Sequence, residues 1–217
     1  MKLFGATLSP FVRKTAAFLN EKKLNWTHVP LGLGAEDPEF LECSPFKKIP
    51  GFSDGDLKLS DSTAICVYVD AAYPETRLIP EDPALRGKTI WWDEIADTIL
   101  TLGAGKLFFN RVVAPRFLKQ EGDEAMAKQG EGELVTFFDY FEQHVPEPGA
   151  FLVGGELTLA DLAMASPFAN LEHVEFMPNA DNYPRICTWV EAMHARDSFA
   201  GMIAAERKIM RGEFGGG

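Results

Sequence analysis

Apolar and polar positions divide the chain into two textures. Up to about Tyr73, short extended runs alternate with helical segments. Lys2 to Ala6 predicts a short strand. Ser9-Pro10 predicts a helix start: serine is a good N-cap, and proline lacks an N–H where none would be paired. Val12, Ala16 and Leu19 follow at i, i+4 and i+7, with Phe11 and Phe18 beside them. Trp26 to Val29 reads as a second strand and Glu36 to Glu42 as a weak helix. Asp54-Gly55, inside Phe52 to Leu59, is a hairpin signal. Asp61 or Ser62 then caps a helix that runs to about Tyr73 and stops at Pro74. The predicted order is β-α-β-α-β-β-α.

Pro74, Pro80 and Pro83 fall within ten residues and break any helix. They predict a linker at 77–83 between a first domain, 1–76, and a second, 84–217. The second domain reads as helical nearly throughout. A long segment from Ala84 carries Trp91, Trp92, Ile95, Ile99, Leu100 and Leu102, and Pro115 interrupts or follows it. Trp91 and Trp92 are expected at a helix or subunit interface. Further helices are predicted over Glu121 to His144, Thr158 to Val174, Tyr183 to Ala195 and Ser198 to Arg211. Thr158-Leu159-Ala160-Asp161 fits a capping box. Gly215-Gly216-Gly217 reads as a frayed tail.

Composition narrows the function classes. With 46% hydrophobic and 24% charged residues over 217 positions, the chain is globular with a real core, neither disordered nor collagenous. Lys plus Arg is 21 and Asp plus Glu is 32, a net charge of −11. That balance argues against nucleic acid and, more weakly, against an anionic membrane surface. A local basic spot for a small anion survives it. No run of about 20 apolar residues offers a membrane span. The N-terminal stretch is too short and too polar for a secretory signal. A soluble cytoplasmic protein is expected. Cys43, Cys66 and Cys187 are odd in number and widely spaced, without a C-x-x-C, which argues against a disulfide framework and against a metal site.

Three short stretches can carry chemistry. Ser9-Pro10-Phe11-Val12-Arg13 lies where a strand end meets a helix start, and free N–H groups with the positive dipole end favour an anion there. Thioredoxin-like redox proteins place a reactive cysteine at such a junction. Here Ser9 and Val12 stand instead, so the site forms no disulfide of its own, while a serine can donate to a thiolate brought by a ligand. Ser9 can equally be only an N-cap. Lys47-Lys48-Ile49-Pro50-Gly51-Phe52 offers a cis X-Pro bond, with Ile49 backbone groups free to pair an extended peptide. An ordinary trans-proline at a strand start is the alternative. Ser60-Asp61-Ser62-Thr63-Ala64-Ile65 can present a hydroxyl and an N–H to a carboxylate, with Asp61 accepting from an ammonium, or can be plain capping.

In this order and on this β-α-β-α-β-β-α pattern, the three stretches strongly resemble the cytosolic glutathione transferase superfamily. S-P-F-x-x-R resembles its serine-type classes, especially tau and related bacterial enzymes. K-K-I-P is similar to the family's K-V-P segment with its cis-proline, and D-S-T-A-I to its E-S-x-A-I. The resemblance implies an α/β plus all-α architecture: a thioredoxin-like glutathione-binding domain, then an all-helical domain that shapes the second substrate's pocket. It implies that Ser9 stabilises the glutathione thiolate. It places Ile49 on the cysteinyl unit, Pro50 as the cis-proline shaping it, and Lys48 near the glycyl carboxylate. Asp61, one methylene shorter than the commoner glutamate, and Ser62 hold the γ-glutamyl end.

Glutathione is then the co-substrate, with no metal, and the partners are a small hydrophobic electrophile and a second copy in a homodimer. The electrophile pocket is expected from Leu8, Phe11, Phe108, Phe109 and Arg111; Phe108 and Phe109 can equally be core. Asp97 is a candidate contact to the partner's glutathione. His28, His144, His173 and His194 carry no assigned role. The implied activity is conjugation, the chemistry of electrophile detoxification. A glutathione-dependent dehalogenase, ether-cleaving enzyme or isomerase shares the same thiolate. A non-catalytic binding module on the same fold is the reading from another class.

Overall fold

The computed structural model describes residues 1–32 and 34–213; the predicted glycine tail lies outside them. The first part contains β1 (Lys2–Phe4), α1 (Pro10–Glu21), β2 (Thr27–Val29), α2 (Pro38–Cys43), β3 (Gly51–Asp54), β4 (Leu57–Ser60) and α3 (Ser62–Ala72). The strands form one sheet in the order β2-β1-β3-β4. β1 is parallel to β2 and antiparallel to β3, and β3 pairs antiparallel with β4. β1 stops at Phe4, two residues before the predicted end, because Gly5 leaves extended geometry at φ +132.

Strand alternation separates two apolar clusters. Leu3 joins the main core with Val12 and Phe18 of α1 and Ile65 of α3. Phe4, its neighbour, packs on Phe40 and Cys43 of α2.

The second part is helical: α4 (Pro83–Ile95), α5 (Thr101–Phe108), α6 (Glu124–His144), α7 (Leu159–His173), α8 (Pro184–His194) and α9 (Asp197–Met210). The predicted long helix from Ala84 is α4 and α5 joined through a π-helical stretch, Ala96–Leu100, and prolonged by a second, Phe109–Leu118, which holds Pro115. Wider π turns re-pair the backbone around such an insertion, so the rod continues past the proline. The next helix starts three residues later than predicted. Asp123 caps it by accepting from Ala125 and Met126 N–H groups, and Gly122 lies so close to Asn110 that a Cβ would fall 1.8 Å from its carbonyl oxygen. Trp92 is buried, with its ring 5.7 Å from that of Phe141, whereas Trp91 is half exposed. At Thr158 the capping box closes: the Asp161 carboxylate accepts the Thr158 N–H at 2.9 Å and the Leu152 N–H at 2.8 Å. Among the described residues no helix is long and apolar enough to cross a membrane.

One apolar core runs through both parts, with α7 at its centre. From Leu159 to Leu171 every residue of α7 is buried. α1 lies against it and brings charge into the core. Arg13 and Lys14 are 0% and 1% exposed, and Lys22 just beyond α1 is 6% exposed. Lys22 pairs with Asp70 of α3 at 3.0 Å within the first part. Arg13 and Lys14 find their carboxylates in the second part, Glu206 at 2.7 Å and Asp93 at 2.8 Å. Removing one member of a buried pair leaves an uncompensated charge. We expect Lys14→Met to lower unfolding free energy by about 3–5 kcal/mol in a urea titration. A loss below about 1 kcal/mol would mean that the ammonium does not hold the two parts together.

Candidate functional site

The strand register gathers the three chemistry-bearing stretches at one end of the sheet. Phe4, last in β1, pairs with Gly51, first in β3, and Gly51 pairs with Ser60, last in β4. The loop leaving β1, the Ile49-Pro50 pair entering β3 and the Asp61-Ser62 pair leaving β4 therefore share that end. Gly5 draws two of them into contact. A Cβ on it would lie 2.7 Å from Val12 Cγ2 and 2.9 Å from Ile49 Cβ. Only glycine fits there, so Ile49 rests on the loop that leads to Ser9. The Ile49–Pro50 bond is cis.

Ser9 is the N-cap of α1, with extended backbone and Pro10 as the first helical residue, yet its side chain makes no capping hydrogen bond. The Arg13 N–H donates to the Ser9 carbonyl at 3.0 Å. The helix thus engages the Ser9 backbone, and the hydroxyl, which makes no capping bond, sits beside the positive end of the dipole. Leu8 and Phe11, on either side, are half-buried.

Lys48 is exposed, and the turn before it is tied at its root. Its N–H donates to Ser44 Oγ at 3.0 Å, and the Ser44 hydroxyl donates to its carbonyl at 2.6 Å. Asp61 caps α3 by accepting the Ala64 N–H at 2.9 Å. Its φ of +80 is a conformation that residues with a side chain avoid, a strain of order 1–3 kcal/mol that recurs at ligand clamps. Ser62, the first helical residue behind it, is buried. Among the described residues no group of three or more His, Cys, Asp or Glu side chains could hold a metal ion.

Several predicted positions go elsewhere. Arg111 is engaged within the chain: its guanidinium donates to Glu124 at 2.6 Å and pairs with Glu131 at 2.7 Å, both on α6. Phe108 is buried, 7% exposed, with its ring 6.3 Å from that of His173. Phe109 is 44% exposed. Asp97 turns into its own chain and accepts from Lys14 Nζ at 2.7 Å.

Two clusters behind the site were not predicted as clusters, although Asp97 and the Arg13 of S-P-F-x-x-R belong to them. In the first, Arg13 Nε and Nη2 donate to Glu206, and Nη1 donates to the Ser166 carbonyl at 2.6 Å and to Asn170 Oδ1 at 2.9 Å. Asn170 Nδ2 donates to the Leu8 carbonyl at 2.8 Å, and the Ser166 hydroxyl to the Pro10 carbonyl at 2.7 Å. His173 Nε2 lies 3.1 Å from Glu206. Burial works against the Glu206 charge, but Arg13 and His173 hold its pKa below the ordinary glutamate value. The signal was a polar pair, Ser166 and Asn170, at i and i+4 in the otherwise apolar stretch 162–171 of α7. In the second cluster Lys14 meets Asp93, Asp97 and Thr63. Burial opposes the Lys14 charge, yet Asp93 and Asp97 keep its pKa above the ordinary lysine value.

Comparison with known proteins settles the family. Residues 3–77 match the model of the glutathione S-transferase N-terminal domain, and residues 100–197 that of the C-terminal domain. The chain belongs to the glutathione S-transferase family. It is a transferase built on that family's two-part fold. It is 31% identical to a glutathione S-transferase of Hyoscyamus muticus, over 94% of this chain and 97% of the relative. It is 34% identical to glutathione S-transferase 3 of Zea mays, over 94% of each chain. The solved structure of glutathione S-transferase I from mais in complex with an atrazine glutathione conjugate superposes with a TM-score of 0.82 at 26% identity, over 95% of this transferase and 97% of that chain.

The Lys14 cluster makes the stability of this transferase depend on pH. Burial pushes Asp97 up to about 6 from an ordinary 3.8, with Asp93 adding and Lys14 opposing. The folded state then holds the proton more tightly than the unfolded state. The stability that this contributes is complete below the unfolded value and is lost as pH rises through 6. We expect Asp97→Asn to gain about 1–3 kcal/mol relative to the unsubstituted chain between pH 4 and pH 7, measured by urea unfolding at each pH. A difference that stays constant across that window would show that Asp97 does not titrate there.

Proposed function

We propose that this chain binds glutathione at the common end of β1, β3 and β4, lowers the pKa of its thiol with Ser9, and transfers the thiolate to a hydrophobic electrophile. The observation that carries the reading is the Ser9 hydroxyl: it sits at the N-cap of α1 and makes no capping bond. The serine-type assignment rests on it as well. Ile49, with the cis Pro50, is suited to pair its backbone with the cysteinyl unit, since Gly5 brings it against the Ser9 loop. Asp61 and Ser62 hold the γ-glutamyl end. Lys48, exposed at the rim, takes the glycyl carboxylate. The electrophile lies against Leu8 and Phe11.

Free glutathione is mostly protonated at neutral pH and is then a poor nucleophile. Each unit by which its thiol pKa falls needs about 1.4 kcal/mol of preferential anion stabilisation. One charge-assisted hydrogen bond from Ser9 and the dipole of α1 together supply on the order of 2–3 kcal/mol. The proton leaves to solvent, the sulfur lone pair forms a bond to the electrophilic carbon, and a leaving group such as halide departs with its electron pair. Proximity of the two bound reactants supplies the remainder.

We also place the enzyme in the cytoplasm as a homodimer. The exposed apolar side chains of the α4–α5 rod support the dimer: Trp91, Ile99 and Leu102 are 48%, 52% and 60% exposed.

Retention on immobilised glutathione and turnover of an activated aryl halide test the reaction; binding without turnover against a broad electrophile panel would favour a non-catalytic module. Ser9→Ala should lower turnover about 10- to 100-fold and raise the bound thiol's pKa by about 1–2 units, followed by thiolate absorbance. If both stay unchanged, Ser9 is only a helix cap. Analytical ultracentrifugation should give twice the chain mass, falling to one chain when Trp91→Glu and Leu102→Glu are combined. A monomeric unsubstituted chain rules the dimer out.

A further inference from the structure

Ser9 is the only hydroxyl proposed to meet the thiol, and the backbone on both sides of it is held from the other half of the molecule. Asn170 donates to the carbonyl of Leu8, the residue before Ser9, and the Ser166 hydroxyl donates to the carbonyl of Pro10, the residue after it. Both donors lie one turn apart on α7, the most deeply buried helix. Asn170 is 2% exposed and Ser166 is 1% exposed.

Arg13 determines which way the Asn170 amide points. A guanidinium has only donors, so the amide oxygen must face it, and Oδ1 accepts from Nη1 at 2.9 Å. The NH2 end is thereby turned toward the Leu8 carbonyl. Arg13 cannot rotate away, because Nε and Nη2 are forked on Glu206 and Nη1 also holds the Ser166 carbonyl. A chain of charge-assisted and neutral hydrogen bonds therefore runs from Glu206 on α9, through Arg13 and Asn170, to the peptide that carries Ser9.

We propose that Asn170 is a positioning residue for thiol activation: oriented by the Arg13–Glu206 pair, it fixes the Leu8 carbonyl and so the place of the Ser9 hydroxyl. This rests on the reading of Ser9 as the thiolate's partner. Asn170 touches neither thiol nor electrophile. It acts only through Ser9, and displacing a catalytic group by about 1 Å slows a reaction far more than one missing remote hydrogen bond would suggest.

Asn170→Asp tests this with almost no change in shape. The carboxylate still accepts from Arg13, so the core pair is kept, but an acceptor now faces the Leu8 carbonyl where a donor stood. The expected result is a bound-thiol pKa raised by about one unit and turnover lowered about tenfold at pH 6.5, with the glutathione dissociation constant little changed. Combined with Ser9→Ala, Asn170→Asp should add no further pKa shift, because both changes remove one hydrogen bond. A merely structural role would move the melting temperature and leave the thiol pKa alone.

If Ser9→Ala raises the thiol pKa and folded Asn170→Asp does not, the positioning role is overturned while the Ser9 reading stands. If Ser9→Ala itself leaves the pKa unchanged, the Ser9 reading has failed and the positioning role with it. Additive shifts in the double variant would also overturn it. Should Asn170→Asp fail to fold, Asn170→Ala removes the same donor and is read in the same way.

Discussion

A fully buried guanidinium is the constraint around which the molecule is arranged. Arg13 sits at 0% exposure on α1, and among the described residues its guanidinium has no acceptor within its own half. Its partners are Glu206, Asn170 and the Ser166 carbonyl. An isolated ion of that kind would cost several kcal/mol to bury, so α7 and α9 must dock on α1 in one position, within hydrogen-bond tolerance. Apolar packing alone tolerates sliding; a fork of donors on a carboxylate does not. The same helix begins at Ser9. Its register against α7 is therefore also the register of the proposed thiol site against the helical half.

The two buried clusters divide the tasks. The Arg13 cluster reaches the backbone on both sides of Ser9. The Lys14 cluster lies on another face of α1 and ties in α3 through Thr63, α4 through Asp93 and the π-helical stretch after it through Asp97. The first has one carboxylate for its cation, with His173 beside it. The second has two carboxylates for one ammonium; burial pushes Asp97 up to about 6, and the neighbouring Asp93 charge adds to the shift against the pull of Lys14. Burial opposes the charge on both Glu206 and Asp97; Arg13 and His173 overcome it at Glu206, and Lys14, shared with Asp93, does not at Asp97.

Much of this was legible in the chain. The strands, the hairpin at Asp54-Gly55 and the helix caps at Ser9, Asp61 and Thr158 follow from local rules of turn and cap chemistry, and they lie where those rules put them. Ser9, Pro50 and Asp61 stand out because each sits at a junction with its own signature. The π-helical stretches were not legible, since a 3.6-residue period cannot distinguish a continuous helix from one with a wider turn. The clusters behind the site were harder still. Arg13 and Glu206 are 193 positions apart, and nothing local marks them as partners. Arg111 meets the same limit: beside two phenylalanines it reads as a ligand contact, and nothing local announces its pairing with Glu124 and Glu131 on α6.

The linker between the halves takes on a different meaning once the charges are counted. It separates two patterns of sequence, and Leu78 within it is buried, with its N–H on Asp70 and its carbonyl on Leu159. The first half alone would hold two cations shaped for burial without their acceptors. The second half alone would hold Glu206, Asp93 and Asn170 facing solvent in place of α1. The pieces that resemble exchangeable modules in the sequence share one apolar core and one set of buried ion pairs, so neither carries its own full complement of charge partners.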